Sequence, residues 1–143
     1  MAKLVPPHGS DTVRPLIVAE AERAEEAERA GKLKKVPLDS RAVSDVFMLA
    51  MGAYTPLAGF MGHDDWQGAC REMKLTSSVM WPIPITLPVD KDLADGLPEG
   101  EEVALTDAET GEILAIMKVQ EKYTIDKTFE AEHVYRTADP KHP

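Results

Sequence analysis

Apolar residues recur at helical spacing through the first half of this chain and alternate with other residues through much of the second. Before either pattern begins, residues 1–15 carry four prolines or glycines in a polar context and read as an extended arm. From Leu16 to Lys35 the sequence is rich in alanine and charge. Glu25 with Arg29 and Glu28 with Lys32 stand at the i, i+4 spacing with the acid first, which predicts a solvated helix. Gly31 and the basic residues Lys32, Lys34 and Lys35 suit its C-terminal turn, where cations complement the helix dipole. Pro37 and Asp39-Ser40 start a second helix with Val43, Val46, Phe47 and Ala50 on one buried face. A third begins near Asp64-Asp65, with Trp66, Ala69, Cys70 and Met73 in the same spacing.

Between the second and third helices lies Gly52-Ala53-Tyr54-Thr55-Pro56-Leu57-Ala58-Gly59-Phe60-Met61-Gly62. Its glycines supply backbone angles or close approaches that a side chain forbids, and Pro56 biases Thr55 toward extended geometry. No Gly-Lys-Ser/Thr follows and the spacing is not G-x-G-x-x-G, so this is a shaped elbow with a small core of Tyr54, Leu57, Phe60 and Met61 rather than a phosphate loop.

Past the third helix the period changes to two. In residues 82–89 Ile83, Ile85, Leu87 and Val89 alternate with Pro82, Pro84, Thr86 and Pro88, so the missing N–H donors fall along one edge and an edge strand is predicted. Glu101–Asp107 and Glu112–Val119 are two further strands, joined through a loop in which Gly111 can take positive φ. A helix near Lys127–Arg136 closes the chain, with Phe129, His133 and Arg136 along one side. Helices, then strands, then a helix imply an α+β fold with a largely antiparallel sheet.

Composition narrows the functional classes. At 143 residues the chain has the size of one ordinary domain and can remove roughly 70% of its unfolded surface from water. Twenty-five acidic against 16 basic residues give a net charge of −9, which repels polyanions and disfavours nucleic acid and anionic membrane surfaces as partners. One cysteine, Cys70, cannot form an internal disulfide, and neither an apolar signal segment nor a long apolar span is present, so a cytoplasmic location is expected. Cys70 sits on an apolar helix face without an arranged basic partner, which points to packing. His8, His63, His133 and His142 are scattered, Glu130-x-x-His133 is half of a di-metal motif with no second copy, and one cysteine cannot build a thiolate zinc site. No residue is assigned a catalytic, cofactor-binding or metal-ligating role.

Taken in order, the elbow resembles the "GAFSPLxGFM" signature of the ATP sulfurylase (sulfate adenylyltransferase) family, with Tyr54 for Phe and Thr55 for Ser. Collinear with it are Pro7-His8-Gly9, Ser40-Arg41, Asp45, residues 81–87, residues 103–107, Tyr123, Asp126-Lys127, Val134-Tyr135, Thr137 and Asp139. The closing His142-Pro143 is similar to the family's "HPG" junction into its catalytic domain. Ser10 replaces a usual Gly and Phe47 a common acidic residue.

The resemblance implies a single N-terminal domain over residues 1–143: an arm to residue 15, a mainly helical part over 16–80, then a mainly β part with a terminal helix. It also implies a PUA-like mixed β-barrel with accessory helices. In that family the anion-binding donors lie in a later domain, in Gln-x-Arg-Asn-Pro-x-His-x-x-His and Gly-Arg-Asp segments, and neither occurs here. The expectation is therefore an auxiliary domain of an enzyme that uses MgATP, partnered by the catalytic domain of the same polypeptide and by further copies of the enzyme. A parent that also carries an adenylylsulfate kinase is compatible with these residues. The alternative is a stand-alone RNA-binding module, as other PUA-like folds are; it would need a basic face with exposed aromatics, which the acidic balance opposes.

Overall fold

The computed structural model describes residues 5–141. In chain order the elements are α1 (Arg23–Lys32), β1 (Lys34–Leu38), α2 (Ser40–Ala50), α3 (His63–Glu72), α4 (Lys91–Asp95), β2 (Glu102–Asp107), β3 (Ile113–Lys118) and α5 (Lys127–Val134). They fall into two compact units, the first drawn from residues up to Gly59 and from Leu87–Gln120, the second from Phe60–Thr86 and from Glu121 onward.

The first unit is built on a three-stranded sheet in the order β1-β2-β3. β2 and β3 form the antiparallel hairpin that the alternation predicts, with Val103 opposite Met117 and Leu105 opposite Ala115. Gly111 turns its loop at φ +74°, and the Asp107 carboxylate accepts from the Glu109 and Thr110 backbone N–H groups at 2.7 and 3.2 Å. β1 runs parallel to β2, placing Val36 beside Leu105. Central β2 buries the unbroken run Val103–Thr106, as a strand covered on both faces does. α1 and α2 lie against the sheet, and Val36, Leu38, Val103 and Leu105 leave water almost entirely.

Several expectations change here. The sheet is mixed rather than largely antiparallel and, among the described residues, has three strands that do not close into a barrel. Residues 82–89 stay outside it: with Pro82, Pro84 and Pro88 unable to donate, the segment forms no ladder, and burial falls on adjacent Ile85 and Thr86 rather than alternating. Lys34 and Lys35 belong to β1, not to a helix end. The first helix starts at Arg23 instead of Leu16, because the Leu16 N–H donates to the Ala50 carbonyl at 2.8 Å and holds the preceding chain extended beside α2. Glu28 pairs with Lys32 at 2.7 Å as expected. Arg29, however, pairs with Glu26 and reaches Glu102 on β2, so it ties the helix to the sheet.

α2 starts where the sequence places it, with the Asp39 carboxylate accepting from Ala42 N–H at 2.8 Å. Its buried face is Ala42, Asp45, Val46 and Leu49, rotated by about one residue from the expected stripe. Val43 and Ala50 are half-buried, and Phe47 is 54% exposed.

In the second unit α3 and α5 pack together. Trp66, Ala69 and Cys70 are buried as the spacing predicts, whereas Met73 is the left-handed residue that ends α3 (φ 54°) and is exposed. The Met61 N–H donates to Ile85 carbonyl at 2.8 Å, and the Trp81 N–H to Met73 carbonyl at 2.7 Å. α5 is shorter than expected: Asp126 accepts from Thr128 and Phe129 N–H at 3.0 Å to start it, and Arg136 lies beyond its end with φ 62°. Phe129 and His133 still share a side, their ring centroids 4.0 Å apart.

Candidate functional site

The elbow up to Gly59 and the arm build one candidate locus within the first unit. α2 ends at Ala50, and the chain reverses through tight turns over residues 51–56. Gly52 has φ +77°, and a Cβ there would lie 2.6 Å from a Val13 methyl and 3.0 Å from the backbone of Arg14 and Pro15. Glycine is therefore required twice over, by its dihedral and by the arm laid across it. Thr55 Oγ1 donates to Gly52 carbonyl at 2.6 Å and accepts from Arg14 N–H at 3.0 Å. Tyr54 donates to Asp45 Oδ1 at 2.9 Å, which is what brings a carboxylate onto the buried face of α2. Burial, and then that hydrogen bond to a carboxylate, push the Tyr54 phenol above its ordinary range. Gly59 shows neither feature: a Cβ there meets nothing within 4 Å, and its φ is not in the left-handed region. Leu57 is buried in the first unit and Met61 in the second, while Tyr54 and Phe60 are half-buried.

The second unit gathers an aromatic cluster around Trp66. Phe129 lies 5.6 Å from it, Tyr123 6.1 Å and His63 5.6 Å, centroid to centroid. Arg71 stands over the Phe129 ring at 5.3 Å. Each ring with a polar handle satisfies it: Trp66 Nε1 donates to Glu130 at 2.5 Å, Tyr123 Oη to Met61 carbonyl at 2.8 Å, and His133 Nδ1 lies 2.8 Å from the Phe129 carbonyl. At the start of α3 the Glu121 carboxylate accepts from His63 N–H at 3.0 Å; a Cβ on Gly62 would sit 2.6 Å from that carboxylate, so the small residue admits the cap.

This cluster is a poor source of acid–base or nucleophilic chemistry. Burial, reinforced by Glu130, pushes the Cys70 thiol up to about 11, so it stays protonated at neutral pH as the packing reading expects. Burial, with Glu121 and Glu130 nearby, raises the Tyr123 phenol well above its usual range, leaving it a neutral donor. Glu130 is engaged by Trp66, and among the described residues no group of three or more His, Cys, Asp or Glu is placed to hold a metal ion. His142 lies outside the described residues, as does the His142-Pro143 junction. Lys32 pairs with Glu28 in the last turn of α1, and Lys35, though on β1, donates back to the Gly31 carbonyl of that turn at 3.3 Å.

Sequence reasoning placed Trp66 and Phe129 on separate apolar stripes and had no means of joining them. The two rings meet directly, and the Trp66 Nε1–H donates to Glu130, the residue after Phe129; the available signal was only that acids, Glu121 and Glu130, stand beside Tyr123 and Phe129.

With its small mixed sheet and surrounding helices, the chain belongs to the PUA-like domain family, whose model matches residues 5–143. Within it, this chain is similar to proteins named sulfate adenylyltransferase. That of Syntrophobacter fumaroxidans is 53% identical over 97% of the chain and 34% of its own length. That of Chlorobium chlorochromatii is 48% identical over 98% of the chain and 35% of its own length. The chain thus spans about a third of the length of the curated relatives it matches. Among solved structures, the hexameric APS kinase from Thiobacillus denitrificans aligns with a TM-score of 0.74 and 34% identity, covering 87% of this chain and 24% of that one. No helix among the described residues is long and apolar enough to cross a membrane.

Proposed function

We propose that this chain is the N-terminal, auxiliary domain of an ATP sulfurylase, spanning residues 1–143 as one domain. The observation that carries the reading is identity near 50% along almost the whole chain to enzymes three times as long. In the whole enzyme a sulfate oxygen attacks the α-phosphorus of MgATP, forming adenylylsulfate and releasing pyrophosphate. Two anions must be held together while charge builds on the phosphoryl oxygens, which demands converging Arg, His and backbone N–H donors. The titratable groups of this chain are arranged for packing: a neutral thiol, a neutral phenol and carboxylates already receiving hydrogen bonds. The donors are assigned to a separate catalytic domain of the same polypeptide. Self-association of the whole enzyme fits the hexameric assembly of the structural neighbour. The acidic balance supports a partner set without nucleic acid or membrane, and the single cysteine supports a cytoplasmic setting.

A coupled assay of ATP formation from adenylylsulfate and pyrophosphate, run at matched concentration on residues 1–143 and on the intact polypeptide, tests this. Turnover is expected from the intact protein alone. Activity of the 143-residue chain would overturn the auxiliary role, and inactivity of both would overturn the enzyme assignment.

A further inference from the structure

Six of the large apolar side chains that the first unit leaves in water come from two neighbouring segments: Val13 of the arm with Leu16, Ile17 and Val18 just after it, and Phe47 and Met51 at the end of α2. They are not scattered. The Leu16 N–H is bonded to Ala50, Arg14 N–H to Thr55, and Val13 lies over Gly52, so the arm is fastened beside the same helical turn that presents Phe47 and Met51. Met51 N–H donates to the Phe47 carbonyl at 3.0 Å, stacking those two residues one turn apart. Single exposed hydrophobes need no explanation; a fastened group of six does.

We infer that this face is the seat of the larger remainder of the polypeptide, through an apolar patch on the catalytic domain. The inference rests on the reading of the chain as one domain of a longer enzyme. Two observations select this occupant over a second copy of the chain. The relatives carry about twice this chain's length in addition to it. The patch is also small: a stable association of free proteins takes about 20–30 residues a side, whereas a tethered partner meets its seat at an effective concentration on the order of millimolar and needs far fewer. Arg14, the sole charge within residues 13–18, would face a carboxylate at the edge of the partner patch.

The test is the rate of Met51 sulfoxide formation in dilute peroxide, followed by peptide mass spectrometry in the intact polypeptide and compared with the same protein unfolded in denaturant. Protection on the order of tenfold or more is expected, unchanged on dilution, and lost when Ile17→Asp and Phe47→Asp place charge on the face. Oxidation of native Met51 at nearly the unfolded rate would overturn the inference, as would protection that survives both substitutions. Protection that disappears on dilution would assign the face to a second copy instead. Adenylylsulfate turnover by the same preparation separates the two levels: an active enzyme with unprotected Met51 sinks this inference alone, whereas a polypeptide with neither a further domain nor activity sinks both.

Discussion

In the first unit the largest fully buried side chains are aliphatic and come from strands, Val36, Leu38 and Val103, whereas the second is organised by Trp66, Tyr123, Phe129, His63 and His133. Aliphatic contacts are non-directional, so the first unit takes its specificity from the backbone ladder and from tight spots such as Gly52. Among its described residues the aromatic unit has little ladder, the isolated Lys74–Met80 bridge, and takes its specificity from ring geometry and polar handles. One unit is thus vulnerable to backbone strain, the other to loss of a ring or a change of protonation.

The comparison breaks most visibly at Trp66. Trp66→Ala removes the hub of the cluster and the donor to Glu130, and about 3–5 kcal/mol of stability should be lost in urea unfolding. A cost below about 1 kcal/mol would mean that the rings are not what organises the second unit.

Next in size is the contrast between two glycines of the elbow. Gly52→Ala combines a left-handed φ with contacts to arm backbone and should cost about 1–3 kcal/mol, more for Gly52→Val. Gly59→Ala should stay within about 0.5 kcal/mol. Equal melting temperatures for the two alanine variants would remove the fastening of the arm as the reason for Gly52.

The smallest effect is confined to alkaline pH. The Cys70 thiol and the Tyr123 and Tyr54 phenols are all raised in the folded state, so the unfolded chain ionises first and unfolding releases protons. Stability from these groups is complete below their unfolded pKa values and falls as pH rises, for Cys70 between about 9 and 11. Denaturation midpoints across that range should slope downward. Cys70→Ala with Tyr123→Phe should flatten the slope more than Tyr54→Phe does, because two of the three groups lie in the aromatic unit. An unchanged slope would show that these groups are not the source.

Much of this was legible in the residues. The hairpin followed from alternation flanking Gly111, the start of α2 from Asp39-Ser40, and the inward face of α3 from Trp66, Ala69 and Cys70. What escaped was decided by partners distant in sequence. β1 is short and follows a charged helix, and it is a strand because β2 lies parallel to it. Asp45 faces inward where Tyr54, nine residues on, donates to it, and Phe47 falls on the exposed side of α2. The aromatic cluster joins segments some sixty residues apart, as in the bond from Tyr123 to Met61, which local periodicity cannot register. Residues 82–89 show the converse, an alternation that resembles a strand but lacks the donors to be one.

Thr55 carries a quieter lesson. Its hydroxyl hydrogen is committed to the Gly52 carbonyl, so the oxygen meets the incoming Arg14 N–H as an acceptor, and one alcohol joins the turn after α2 to the arm. The family signature with serine at this place preserves that grammar, since either alcohol can speak both halves of it. What the position transmits is therefore polarity, not bulk, and its oxygen joins the Leu16–Ala50 bond in aligning the apolar face beyond it.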